Sequence, residues 1–205
     1  MSDDSPYADK KLDQWKGITQ KLINEHPIDR DELAKVILDS WDAILATNLG
    51  KYTIGVNIFP TQQMLGFFIQ QLVSLHFQEK YPDIWRGEEK AVDKDMVNLT
   101  NEDFSIEIKT SSHKTGIFGN RSHATKKKDN PKPKKKKSGY YLTINNEAIK
   151  KNTKPKILKI RFGWLDHDDW KGQAARTGQA ASLSADVLSH KLISLYDYET
   201  LNCNS

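Results

Sequence analysis

The spacing of the apolar residues changes at Pro82, and this change limits the folds that the chain can adopt. Before Pro82, apolar residues such as Leu12, Trp15 and Ile18 recur at steps of three and four, the spacing of one face of an α-helix. After it, apolar runs of about five to seven residues are separated by polar turns, which is typical of β-strands. The order predicts helices packed on a sheet, in an α+β or mixed α/β fold.

Residues 1–80 are predicted to be mainly helical. Asp29, with Glu32 three residues later, indicates a capping box at the start of the second helix. Gly50 is the natural end of that helix, and Pro60 marks the start of a third. The predicted helices cover residues 12–22, about 30–49 and about 61–80.

The predicted sheet occupies residues 88–163. Its candidate strands are residues 91–97, 104–110, 140–144 and 157–163, followed by a short helix at 182–189 and a last strand at 191–196. A chain of 205 residues is long enough for one full-sized core and too short for two ordinary domains. We therefore predict a single domain over residues 1–205.

Composition excludes several classes of protein. No apolar run approaches the roughly 20 residues that span a bilayer, and the first five residues are acidic and polar, unlike a secretory signal. We expect a cytoplasmic protein without a membrane segment. The single cysteine, Cys203, cannot form a disulfide or a cysteine metal site within one chain. Any metal must then be bound by oxygen or histidine.

The positive charge is concentrated in one segment. The net charge is only +4, but residues 126–137 hold eight lysines against one aspartate. This segment contains proline and is self-repelling, so we expect a loop that is mobile without a partner. A basic patch on an otherwise balanced chain indicates a polyanionic partner, with nucleic acid the leading candidate.

Glu107 and Lys109 fall on one face of a predicted strand. Side chains alternate along a strand, so Ile106 and Ile108 point into a core while Glu107 and Lys109 point to the opposite face. The polar segment 98–102 is short enough to turn the chain back into a paired strand, which brings an upstream aspartate beside Glu107.

Two adjacent carboxylates indicate a cation between them. Without a cation they repel, and hard oxygen donors of this kind suit Mg²⁺ while leaving several waters on the ion. A lysine beside such an ion can orient or deprotonate a water and can neutralise charge that develops on a phosphate. The pattern therefore favours phosphodiester hydrolysis.

An acidic residue, a short hairpin and then Glu-X-Lys on an alternating apolar strand resemble the motif of the PD-(D/E)XK nuclease superfamily. The resemblance covers residues 88–144. It implies that Asp95 and Glu107 are catalytic metal ligands, that the carbonyl of Ile108 is a further ligand, and that Lys109 is the catalytic lysine.

The alternation of side chains along a strand does not distinguish Asp93 from Asp95 as the metal ligand, because the two residues lie two positions apart and point to the same face. Asp95 is preferred by resemblance, since apolar Met96 and Val97 follow it directly as in the superfamily. Lys94 departs from the proline of the motif name. Members of the superfamily often add an acidic residue from the helix before the motif, and the candidates for this role are Glu79, Glu88 and Glu89.

The segments 106–113 and 117–122, in a chain of this length, resemble type II restriction endonucleases. A looser resemblance is to the ScaI-like group of these enzymes. The resemblance implies a three-layer α/β/α core with a mixed sheet and an N-terminal helical region. It further implies Mg²⁺ as cofactor, with Mn²⁺ able to substitute, and a homodimer that cuts double-stranded DNA at a short palindrome.

Two polar segments and the lysine run offer donors to DNA. Arginine can bind guanine and asparagine adenine with paired hydrogen bonds, whereas lysines neutralise phosphates without reading sequence. Each segment has an alternative interpretation as an ordinary surface loop. The predicted DNA-binding residues are Asn120, Arg121, Ser122, His123, Lys126, Lys127, Lys128, Gln173 and Arg176.

Other functions remain open on the sequence. Glu-X-Lys by itself arises on the solvated face of any half-buried strand. The chain is alternatively a structure-selective repair or junction nuclease, or a non-catalytic nucleic-acid-binding protein in which the basic loop does the binding. Residues 166–169 combine histidine with three aspartates, but a turn or helix cap is the favoured interpretation there, and no histidine is assigned to a metal.

Overall fold

Three long helices form the first part of the structure. The computed structural model describes residues 5–120, 135–151, 153–174 and 179–202. The helices are α1 (Leu12–Glu25), α2 (Arg30–Ala46) and α3 (Gln62–Lys80). Between α2 and α3 lies a hairpin of two short strands, β1 (Asn48–Leu49) and β2 (Tyr52–Thr53). The helical prediction for this region is confirmed.

The start of α2 differs from the predicted capping box in one respect. The side chain of Asp29 accepts hydrogen bonds from the backbone amides of Asp31 and Glu32, as an N-cap does. The Glu32 carboxylate does not return to the cap. It pairs with Lys80 at 2.6 Å and accepts a hydrogen bond from Tyr81 at 2.8 Å, and so joins α2 to the end of α3. The helix ends at Ala46, earlier than the predicted Gly50.

A mixed sheet of six strands lies at the centre. Its strand order is β11, β8, β7, β5, β4, β3, and β5 and β7 are parallel while every other neighbouring pair is antiparallel. The strands are β3 (Trp85–Gly87), β4 (Met96–Asn98), β5 (Ile106–Ser111), β7 (Gly139–Asn146), β8 (Ile157–Leu165) and β11 (Leu192–Asp197).

The predicted strand at 91–97 is mostly wrong. Only its last two residues belong to β4, and the chain before β4 follows a turn held by Asp93, which accepts hydrogen bonds from the amides of Glu89 and Lys90. The strand predicted at 104–110 is observed as β5, which begins two residues later than predicted because Phe104 ends a short 3₁₀-helix, Glu102–Phe104. Strand β3 was not predicted.

One face of the sheet packs against α2 and α3. Alternate residues of β5 and β7, among them Ile106, Ile108 and Leu142, lie in the same core as Ile37 of α2 and Ile69 of α3. This contact buries one face of β7, and the second core, which contains Tyr141, covers the other, so this central strand is buried along its whole length. The face opposite to this helical layer carries Glu107 and Lys109.

The second face is covered by a smaller sheet and a short helix. Strands β6 (Phe118–Asn120), β10 (Ala180–Leu183) and β9 (Trp170–Gly172) form this sheet in that order, and α4 (Ala185–His190) follows β10. A 3₁₀-helix, His167–Asp169, precedes β9, and α5 (Tyr198–Asn202) follows β11. Tyr141 and Leu165 of the central sheet share the second core with Trp170 and Ala181.

The predicted mixed α/β architecture is confirmed as a layered structure around a mixed sheet. Helices form one outer layer, and the second outer layer combines the three-stranded sheet with α4. Within the described residues, no helix has the length and apolar character needed to cross a membrane.

Candidate active site

The pairing of β4 with β5 brings Asp95 beside Glu107. Met96 lies opposite Ile106 in this antiparallel pair, and extension of the register by one residue places Asp95 opposite Glu107. The Oδ2 atom of Asp95 accepts a hydrogen bond of 2.7 Å from the amide of Ile108. Its carbonyl accepts a hydrogen bond from Ser74 of α3 at 2.9 Å. Both bonds fix Asp95 although it lies outside the strand.

Asp95 and Glu107 are buried rather than solvated. Their exposed fractions are 5% and 4%, so the interpretation of Glu-X-Lys as an ordinary solvated strand face does not hold. Lys109, two residues along β5, forms an ion pair with the Oε1 atom of Glu107. Burying a charge requires a paired charge or a metal, and the structure supplies cations from the protein itself.

A second lysine completes the cluster. The Nζ atom of Lys135 lies 2.9 Å from Oδ1 of Asp95 and 2.8 Å from Oε2 of Glu107, and so bridges the two carboxylates. Lys135 belongs to the lysine run but was not singled out among the predicted site residues. The pair of adjacent carboxylates indicates that a cation lies nearby, but the alternation of residues along a strand does not show which lysine supplies it.

The two carboxylates differ in their electrostatics. Burial, and then the negative charge of Glu107, raise the pKa of Asp95. Burial also raises the pKa of Glu107, but the ion pairs with Lys109 and Lys135 outweigh it and lower that pKa overall. Glu107 therefore carries the more firmly held negative charge of the pair.

Asp93 has a different environment. Its Oδ2 atom accepts a hydrogen bond of 2.7 Å from Arg86 in addition to the bonds from two backbone amides, and the hydrogen bond with Arg86 lowers its pKa. These contacts stabilise the turn before β4. Asp95 therefore lies beside Glu107, whereas Asp93 stabilises the turn before β4.

The donors present fit one hard divalent ion. Mg²⁺ is usually held by one or two carboxylates with waters and phosphate oxygens completing its shell. Asp95 and Glu107 converge on a single cation, at present the ammonium of Lys135, which marks a position of negative potential. Within the described residues, no group of three or more His, Cys, Asp or Glu side chains is arranged so that it could hold a metal ion.

Of the three further candidate glutamates, Glu79 lies in α3, whereas Glu88 and Glu89 follow β3. Glu88 accepts a hydrogen bond from Gln70 at 3.2 Å, and Glu89 lies 3.9 Å from Arg86. Glu79, in the last part of α3, is exposed. Among the described residues, the structure thus brings two carboxylates together, without a third from the helix or from the segment that follows it.

Lys94, which replaces the proline of the motif name, is a buried cation. It is 7% exposed, its Nζ atom donates to the carbonyl of Ser138 at 3.2 Å, and the ring of Tyr141 lies beneath it. Burial lowers its pKa to about 8. Gly139 makes room for it, since a Cβ atom there would lie 2.2 Å from the Lys94 Nζ atom.

Two of the predicted DNA-binding residues lie on the small sheet. Asn120 ends β6, and Gln173 follows β9, where its amide donates to the carbonyl of Ala180. Both are exposed. The other predicted DNA-binding residues lie outside the described residues: Arg121, Ser122, His123, Lys126, Lys127, Lys128 and Arg176.

The histidine and aspartate cluster at 166–169 has structural contacts. Asp166 occupies the N-cap position of the 3₁₀-helix, and Asp169 accepts hydrogen bonds from the buried Lys191 at 2.7 and 2.9 Å. The favoured interpretation as a turn or cap agrees with this arrangement. Lys191 lies over the rings of Tyr7 and Trp15, so the pair ties the N-terminal segment to the second core.

Comparison with known proteins identifies relatives over almost the whole chain. A family model described as ScaI restriction endonuclease matches residues 5–196. The type II restriction enzyme ScaI of Streptomyces caespitosus is 40% identical over 197 residues, which cover 94% of this chain and 85% of that enzyme.

A solved structure also shows a weak similarity. The restriction endonuclease BglI, bound to its DNA recognition sequence, aligns with 9% sequence identity and a TM-score of 0.38, covering 89% of this chain and 87% of that one.

Proposed function

The chain belongs to the ScaI restriction endonuclease family, and from this premise we propose that it is a type II restriction endonuclease. Its substrate is double-stranded DNA, cut at a short palindromic site by hydrolysis of phosphodiester bonds. The observation that carries the proposal is the cluster of Asp95, Glu107 and Lys109, in which two buried carboxylates and a lysine meet at β4 and β5.

Asp95, Glu107 and the carbonyl of Ile108 would hold a divalent ion, Mg²⁺ or in its place Mn²⁺. When bound, such an ion supplies positive charge to a phosphate and lowers the pKa of a water. Asp95 is oriented for this role by its hydrogen bond from the Ile108 amide, and Glu107 by its position within β5. Burial excludes bulk water from both carboxylates and strengthens their attraction for a cation.

Lys109 has a separate role in the proposal. Its ammonium, beside Glu107 on the same face of β5, can hold a water or a phosphate oxygen and stabilise the negative charge that builds up in the transition state. Because Lys109 lies on a central strand, the sheet fixes the backbone from which its side chain projects. Asn120 and Gln173 would contact DNA from the small sheet.

Cleavage of plasmid DNA tests the proposal. We expect discrete fragments in the presence of Mg²⁺ and intact plasmid in the presence of EDTA. Glu107→Ala and Lys109→Ala should lose cleavage by about 100-fold or more, since each removes a group that acts on the transition state, while DNA binding persists. Full activity of both variants contradicts the proposed site.

The same preparation separates the alternative functions. A preference for branched over linear DNA would favour a structure-selective repair nuclease. DNA binding without cleavage of any substrate would favour a non-catalytic binding protein. Sequenced ends of digested genomic DNA should instead share one short palindrome.

We also propose that the enzyme acts as a homodimer. A palindromic site presents the same sequence on both strands, so two identical subunits related by a twofold axis can each cut one strand. Light scattering of the purified protein should give a mass of about twice 23.5 kDa. A monomer that stays monomeric on its DNA would contradict this part of the proposal.

A further inference from the structure

We propose that Lys135 is a built-in counter-ion of the candidate metal site, which occupies the position between Asp95 and Glu107 until a divalent cation displaces it. The inference rests on the proposed function for the identity of the site. It adds a role for a residue that neither the motif nor the comparisons assign.

The position of the ammonium carries the inference. Lys135 Nζ contacts one oxygen of each carboxylate, at 2.9 and 2.8 Å, whereas Lys109 contacts Glu107. The Oε2 atom of Glu107 is fully buried and receives no hydrogen bond of good geometry from the described residues. Its ion pair with Lys135 is therefore electrostatic compensation in the place where a metal ligand bond would form.

The charges of the cluster do not allow both cations to stay. Asp95 and Glu107 together carry two negative charges, and Lys109 and Lys135 balance them. A divalent ion added to this balanced cluster would leave two uncompensated positive charges in a buried site, which is unfavourable. Departure of one ammonium when the ion binds halves this excess of positive charge.

Lys135 is the ammonium placed to leave. Lys109 lies within β5, where its backbone is held by the hydrogen bonds of the central sheet. Lys135 precedes β7 by four residues and belongs to no strand or helix. The side chain of Lys135 is 27% exposed, against 18% for that of Lys109, so the Lys135 ammonium is the nearer of the two to solvent or to an incoming phosphate.

This arrangement makes metal binding weaker in the free protein than the carboxylates alone would allow. The ion competes with a tethered ammonium whose local concentration is high. A phosphate that attracts Lys135 would remove the competitor, so DNA and metal should bind with positive coupling.

Calorimetric titration of the DNA-free protein with Mn²⁺ tests the inference. Lys135→Gln should bind Mn²⁺ at least tenfold more tightly than the wild type, because the competing ammonium is gone. Lys135→Arg keeps a cation and should stay within about threefold of the wild type. Lys136→Gln is the matched control, since Lys136 pairs with the exposed Asp103 and its loss removes the same charge nearby.

Thermal unfolding provides a second measurement. Without metal, Lys135→Gln leaves two buried carboxylates facing each other, so its melting temperature should fall, and Mn²⁺ should raise it by more than in the wild type. If the variant is unfolded without metal, recovery of its circular dichroism on addition of Mn²⁺ gives the same information.

Equal Mn²⁺ affinity of Lys135→Gln and Lys136→Gln, with equal thermal shifts, would overturn the inference. If the wild type cleaves DNA with Mg²⁺ while this equality is found, the proposed function stands and the counter-ion role alone fails. Absence of both cleavage and Mn²⁺ binding in every variant would overturn the two together.

Discussion

The Oδ2 atom of Asp95 accepts a hydrogen bond of 2.7 Å from the backbone amide of Ile108. This bond joins the residue just before β4 to the middle of β5 and aligns the Asp95 carboxylate with that of Glu107. The Oδ1 atom of the same carboxylate faces Lys135. The aspartate is thus oriented by the sheet before any ligand binds.

Asp95 and Asp93 should respond differently to the same substitution. Asp95→Asn keeps an oxygen for the Ile108 amide but loses a charge at the proposed site, so DNA cleavage should fall about 100-fold or more with little loss of stability. Asp93→Asn weakens the contact with Arg86 and should lower stability by about 1–3 kcal/mol while cleavage persists.

Cleavage assays and urea unfolding of both variants provide the comparison. The reverse result, with cleavage lost in Asp93→Asn and retained in Asp95→Asn, would assign the site to the other aspartate.

Protonation of His26 should destabilise the protein. Its Nε2 atom lies 3.0 Å from the carbonyl of Phe104, which can only accept, and its Nδ1 atom accepts from the amide of Ile28. The ring is therefore neutral with its proton on Nε2, and burial lowers its pKa to about 4 from 6.5. The unfolded chain binds a proton more readily than the folded one between these two values.

The free energy of unfolding should thus fall as pH falls from 6.5 toward 4, with a contribution from His26 of about 3 kcal/mol. His26→Gln should flatten the dependence over this window, whatever its effect on stability at pH 7. Urea unfolding at pH 7, 6 and 5 measures both proteins, and parallel curves would show that His26 does not titrate in this way.

The buried pair of Asp169 and Lys191 offers a test of uncompensated charge. Lys191→Met removes a cation that is 3% exposed and leaves Asp169 buried without it, so stability should fall by about 3–5 kcal/mol. In the double variant Asp169→Asn with Lys191→Met, the asparagine oxygen can still accept from the amide of Asp166, and most of the stability should return.

Chemical denaturation of the two single variants and the double variant gives the coupling energy. Additive losses, without recovery in the double variant, would mean that the charges of this pair do not depend on each other.

Replacement of Lys94 should stabilise the protein. The folded pKa of Lys94, about 8, lies below its ordinary value of 10.5, so the folded state disfavours its charged form. For such a group, stability is lost as pH falls from 10.5 to 8, and the cost at pH 7 is about 3 kcal/mol at most. Lys94→Met should recover about 1–3 kcal/mol at pH 7 and less at pH 10.

Lys90→Met removes the same charge from an exposed position and is the control. Urea unfolding at both pH values distinguishes them. A Lys94→Met protein that is less stable than the wild type at pH 7 would show that the contacts of the ammonium outweigh its burial.

Several elements could be predicted because they depend on local patterns. The three helices follow from apolar spacing, and the shared face of Glu107 and Lys109 follows from the alternation of a strand. The turn around Asp93 could not be predicted in this way. The turn replaces a strand because Arg86 and two backbone amides together donate hydrogen bonds to that carboxylate, and Arg86 lies on the unpredicted strand β3.

The sequence by itself determined the three N-terminal helices, the core-facing residues of β5 and the shared face of Glu107 and Lys109, since these depend on periods of two and about 3.6 residues. Only the tertiary structure decided which aspartate meets Glu107 and which cation compensates the two. Lys135 is 40 residues from Asp95 in the chain. Contacts at that distance depend on how β4, β5 and the segment before β7 come together, and on the electrostatic cost of burying two like charges without a cation between them.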